Sequence, residues 1–142
     1  MSENLPASVE REVDQLCSEA LVLVESKRYD AALLRYKAAL DLLPPPKTQW
    51  CGGLRILQAM VDTCFLKGDF SNAEQVLYAA IQFPDADRLA RVHLRLGQIH
   101  FEKGDREQAQ RELTAAYSSG GREIFADEHP KYWELIRCGL ES

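Results

Sequence analysis

Apolar positions near the start of the chain recur in alternating steps of four and three. Val9, Val13, Leu16, Ala20 and Leu23 therefore share one face of a helix, and Pro6 suits its first turn. After the polar stretch Glu25-Ser26-Lys27-Arg28-Tyr29-Asp30 the pattern resumes as Ala32, Leu33, Tyr36, Ala39, Leu40 and Leu43, and Pro44-Pro45-Pro46 stops it. Two helices joined by a short turn are expected, and the layout returns twice. One pair is expected over about Trp50 to Lys67 and Phe70 to Phe83, turning at Gly68-Asp69. Another runs from about Ala86 to Lys103 and on to about Tyr117, turning at Gly104-Asp105. No segment alternates with period two for more than a few residues, so no strand is expected.

Gly120 and Gly121 are expected to end the sixth helix, since glycine tolerates positive φ. Asp127 is the candidate cap of a last helix over about Glu128 to Cys138, with Pro130 in its first turn. Three prolines make the connection from Pro44 to Gly53 stiff. The fold class that follows is all-α with about seven helices, and residues 1–142 suit one domain.

The helix pairs share more than periodicity. "FLKGDFSNAEQVL" from Phe65 and "FEKGDREQAQREL" from Phe101 are nearly the same phrase, and "SKRYDAALLRY" is a worn third copy with Lys27 where glycine would be expected. Aligned on their turns, Ala32, Ala73 and Ala109 coincide, followed by Tyr36, Leu77 and Leu113, then Ala39, Ala80 and Ala116. Pro44 follows the first pair and Pro84 the second. This order of small, large, small and proline positions resembles the tetratricopeptide repeat, a helix–turn–helix of 34 residues. Leu96-Gly97 and His100 stand at the Leu-Gly and Tyr positions of the third copy, with His93 in place of the Trp; the first helices of the other copies match more loosely. The resemblance implies three repeats, about 8–44, 50–84 and 86–119, stacked in a short right-handed superhelix and closed by a C-terminal capping helix, about 128–138. Tyr132, Trp133, Leu135 and Ile136 are the apolar cap it needs.

Charge and candidate chemistry narrow the function. Seventeen Lys and Arg against 22 Asp and Glu give a formal net charge of −5, which disfavours a nucleic-acid partner and favours a basic protein. No apolar run approaches the length of a membrane span, and the polar N-terminal residues do not read as a signal peptide, so a cytoplasmic protein is expected. Cys17, Cys51, Cys64 and Cys138 lack C-x-x-C spacing and read as reduced thiols, with Cys17 and Cys64 as small buried hydrophobes. His93 and His100 sit at packing positions, without a third ligand to make a metal site. The chain shows no catalytic constellation, so no enzyme activity, cofactor or metal is expected.

In the family that the chain resembles, the first helices of successive repeats line a concave groove for partner proteins. The resemblance therefore implies a groove of Arg55, Gln58, Asp62, Phe65 and Leu66 with Arg91, Leu94, Arg95, Gln98, Phe101 and Glu102; Asp14, Cys17, Leu21, Val24 and Glu25 are the matching positions of the first repeat. Chaperone-binding members clamp a partner's C-terminal carboxylate, but Cys17, Leu21 and Ala59 stand at three of those positions and only Arg91 and Arg95 remain. The tail from Gly121 to Ile136 after such a short stack is similar to small bacterial proteins that neutralise toxin domains. The expectation is a non-catalytic binding module, an immunity protein for a basic toxin or effector domain, with a secretion or assembly chaperone or a self-associating scaffold as alternatives. A monomer or a homodimer would suit these roles.

Overall fold

The computed structural model describes residues 5–46, 50–83 and 90–141. Among these the fold is all-α: α1 (Ala7–Glu25), α2 (Tyr29–Asp41), α3 (Cys51–Lys67), α4 (Phe70–Ala80), α5 (Ala90–Glu102), α6 (Arg106–Gly120), a short 3-10 helix (Arg122–Phe125) and α7 (Pro130–Glu141). The helices pack as the antiparallel pairs α1–α2, α3–α4 and α5–α6 of a helical repeat protein. Contacts divide the chain into two compact units, Met1–Pro84 and Asp85–Ser142. The expected start of the fifth helix near Ala86, and Pro84, lie outside the described residues.

One turn geometry joins all three pairs. The N–H of Arg28, Asp69 and Asp105 donates to the carbonyl five residues back, on Leu23, Cys64 and His100. The residue before each donates to the carbonyl of Val24, Phe65 or Phe101, at 2.9–3.0 Å. This paired closure of a helix end places one residue in the left-handed region. Gly68 and Gly104 take it at φ 86 and 90, and Lys27 takes it at φ 63, where a side chain costs about 1 kcal/mol or more. Asp69 and Asp105 then cap the following helix through Oδ1, accepting from Asn72 N–H and Gln108 N–H at 3.2 Å. At the first turn Arg28 has no such side-chain cap.

Packing follows the register read from the repeats. Ala32, Ala39, Ala73, Ala80, Ala109 and Ala116 are fully buried, and the large residue between them, Tyr36, Leu77 or Leu113, is buried with them. Small side chains at these places let the paired helices approach while the large one fills the gap. In the first unit the core runs from Val13 and Ala20 through Tyr36 to Leu43, Trp50 and Ile56. The Trp50 indole N–H donates to the Pro44 carbonyl at 2.7 Å, which fastens the connection between its two pairs. In the second unit Gly97 faces Leu113 so closely that a Cβ would stand 2.5 Å from Leu113 Cγ.

Some boundaries differ from expectation. α6 continues past Tyr117 to Gly120, where a Cβ would meet Ala90 Cβ at 2.7 Å, and only Gly121 turns the chain, at φ 73. A 3-10 helix follows, and Asp127 does not cap α7. It lies in the turn beyond, while α7 opens at Pro130 and His129 Nδ1 accepts from Lys131 N–H at 3.1 Å. Proline needs no partner at the first helical position, so the preceding residue is left to satisfy the next donor. α4 ends at Ala80, followed by a turn that carries Phe83 into the core.

Candidate functional site

The surface of α5 is built by the tail that follows α6. Arg95 donates to Glu128 Oε1 at 3.0 Å, and the amide of Gln98 donates to the same oxygen at 2.6 Å while its own oxygen accepts from Arg95. Gln98 is fully buried, and Arg95 and Glu128 are nearly so. A buried ion pair that satisfies its hydrogen bonds in this way is costly to break from one side. One turn further along α5, Glu102 accepts from the Tyr132 hydroxyl at 2.6 Å and from Lys131 Nζ at 2.7 Å. Burial opposes ionisation of Glu102, but these donors outweigh it and hold the carboxyl below its usual range. Burial first, and then the Glu102 carboxylate, push the Tyr132 phenol well above its ordinary value.

Aromatic contacts complete the attachment. Phe101 meets the Tyr132 ring edge to face at 5.3 Å, with Arg106 and Lys131 each 5.3 Å from its centroid. Trp133 packs between Tyr117 and Phe125, and Tyr132 and Ile136 are buried, so the tail caps the unit as its apolar residues implied. A cleft of about 450 Å³ opens beside the 3-10 helix, lined by Arg122, Phe125, Pro130 and Trp133 among others. Its aromatic surface is partly covered, because the Arg122 guanidinium sits 4.9 Å over the Trp133 ring.

Of the groove residues expected on α5, then, Arg95, Gln98, Phe101 and Glu102 are engaged by the protein's own tail. Leu94 is fully buried in the core and has no surface to offer a partner, while Arg91 is exposed. The α3 residues belong to the first unit: Arg55 and Leu66 are exposed, and Gln58, Asp62 and Phe65 are half-buried. Phe65 packs edge to face on Phe70 at 5.3 Å. On α1, Asp14, Leu21 and Glu25 are exposed, while Cys17 and Val24 pack partly against the core. Cys17 on α1 and Asp62 on α3 both lie close enough to Tyr36 that, after burial, their charge raises its pKa. The sequence reading did not find Glu128, Lys131 and Tyr132 as partners of α5.

The remaining candidate residues have structural partners. His93 Nδ1 lies 2.8 Å from Glu112 Oε1 and ties α5 to α6. Cys64 is buried and Cys17 half-buried, and burial is the main cause that raises both thiol pKa values. Among the described residues, no group of three or more His, Cys, Asp or Glu could hold a metal ion, and no helix is long and apolar enough to cross a membrane.

Three helix pairs with one turn geometry and one alanine register define a helical-repeat protein. The family model for the tetratricopeptide repeat matches residues 90–119, the α5–α6 pair, so the chain carries a repeat of that family. Repeats of this kind serve protein–protein interaction, and that is the class of function the chain supports. No curated protein matches the chain.

Proposed function

We propose that this protein is a non-catalytic interaction module that binds and neutralises the toxic domain of another protein, as an immunity protein working in the bacterial cytoplasm. The observation that carries the interaction reading is the contrast between α5, whose face is filled by the tail, and α3, where Arg55 and Leu66 face solvent. Exposed apolar side chains flanked by charge are what a partner can cover. The choice of a toxin as partner is supported by the formal net charge of −5, which speeds encounter with a basic protein.

The test is recovery of the stoichiometric partner from the native host, followed by co-expression of that partner with and without this chain. Growth restored only when the chain is present is expected. A partner that is harmless when expressed alone would favour a chaperone for that client, and turnover of a small molecule without any stoichiometric protein partner would overturn the interaction reading. Self-association is the second reading, favoured by the exposure of Leu21, Leu34 and Leu66. Sedimentation equilibrium across a range of concentrations separates it, since a monomer throughout would exclude it.

A further inference from the structure

Resting on the interaction reading above, we propose that the stripe of α1 carrying the exposed Asp14, Leu21 and Glu25 docks a basic amphipathic helix of the partner protein. Asp14, Cys17, Leu21 and Glu25 follow one another at steps of three and four, so they form one stripe along α1. At its centre Leu21 is 54% exposed, and a carboxylate stands toward either end. From Asp14 to Glu25 the stripe is about 16 Å long at 1.5 Å per residue, room for about three turns of a partner helix.

Charge selects the occupant. α1 carries Glu10, Glu12, Asp14, Glu19 and Glu25 against Arg11 alone, and Glu19 is occupied by Arg35 of α2 at 3.1 Å. The other four carboxylates are exposed. An apolar anchor between carboxylates one to two turns away complements a helix with leucine-like side chains on one face and lysine or arginine beside them. The α5 face that the tail fills carries both signs, with Arg95 meeting Glu128 and Glu102 meeting Lys131, whereas the charges of α1 are acidic but for Arg11.

The test uses the full chain and a fluorescent 15-residue Lys/Leu amphipathic peptide, followed by anisotropy at low and high salt, with a Glu/Leu peptide as counterpart. The Lys/Leu peptide should bind and weaken with salt, and the Glu/Leu peptide should not bind. Asp14→Lys with Glu25→Lys should weaken binding tenfold or more, and Leu21→Ser several-fold. Leu34→Ser, at a still more exposed leucine on α2, should leave it unchanged. Equal losses from Leu21→Ser and Leu34→Ser, indifference to the charge reversal, or no binding by the wild-type chain would overturn the proposal. Helicity and unfolding midpoint verify each variant's fold; should the double reversal fail to fold, Leu21→Ser against Leu34→Ser decides. A native partner whose capture is unaffected by these substitutions would sink this face and leave the interaction module standing, whereas the absence of any protein partner would sink both.

Discussion

α3 and α5 are two versions of the same helix with opposite fates. Counted from Gly68 and Gly104, Arg55 corresponds to Arg91, Asp62 to Gln98, Phe65 to Phe101 and Leu66 to Glu102. On α5 the last three of these meet the tail: Gln98 holds Glu128, Phe101 meets Tyr132, and Glu102 binds Tyr132 and Lys131. On α3 the phenylalanine packs on Phe70 of its own hairpin, and Leu66, where α5 has the tail-binding Glu102, is 60% exposed. The scaffold is held constant while the face is rewritten, so the face, not the repeat, carries the information about partners.

The interior of the two pairs differs too, and substitution there gives the largest expected effects. Gly97 faces Leu113, and Val61 and Leu77 stand at the corresponding positions of α3 and α4. Leu113→Ala should cost about 2–5 kcal/mol, and Gly97→Val, which imports the α3 residue, about 1–3 kcal/mol through overpacking. The double variant should lose clearly less than the sum, because each change relieves the other. Denaturant unfolding of the four chains gives the coupling, and strict additivity would mean that the close approach of α5 to α6 does not depend on this pair.

Next in size is the tail's attachment. Glu128→Ala leaves Arg95 and Gln98 without their shared acceptor and should destabilise the second unit by about 3 kcal/mol. Asp62→Ala at the equivalent of Gln98 should cost less, since Asp62 is only half-buried. Thermal unfolding of both variants ranks them, and equal losses would remove the contrast between the two faces.

Acid should loosen the same attachment. The folded pKa of Glu102 lies below its unfolded value, so its contribution is complete above the unfolded pKa, about 4.3, and is lost as pH falls through the folded one. Glu102→Gln should flatten the stability profile below about pH 4.5 while changing neutral-pH stability less than Glu128→Ala does. An unchanged acid limb would show that Glu102 does not couple the tail to α5.

These contrasts also show what the sequence could disclose. The alanine register, the turns and the helix pairs were legible because each is written locally and more than once. Even Lys27 was visible as a misplaced residue, and its φ of 63 shows why. The contacts of Glu128 with Arg95 and Gln98, and of Tyr132 with Glu102, join residues about thirty positions apart, and no periodicity announces such pairs. Leu94, expected in the groove, is fully buried instead, and helical spacing alone does not separate the edge of an exposed face from the core beside it. His129 took the capping role expected of Asp127 because the 3-10 helix after Gly121 shifted where α7 begins.

The smallest expected effect lies at the worn turn. Lys27→Gly should stabilise the chain by up to about 1 kcal/mol, since glycine accepts the left-handed conformation that Lys27 now holds but loses more backbone freedom on folding, and a small rise in unfolding midpoint checks it.

The most direct test of the central claim is a heteronuclear NMR titration of the full chain with the Lys/Leu amphipathic peptide. If the face of α5 is filled by the tail while the first unit stands open, shift changes should gather on α1 around Asp14, Leu21 and Glu25, extending to α3, and leave Arg95, Gln98 and Glu102 in place. Changes centred on α5, with the side-chain amide of Gln98 released from Glu128, would contradict it.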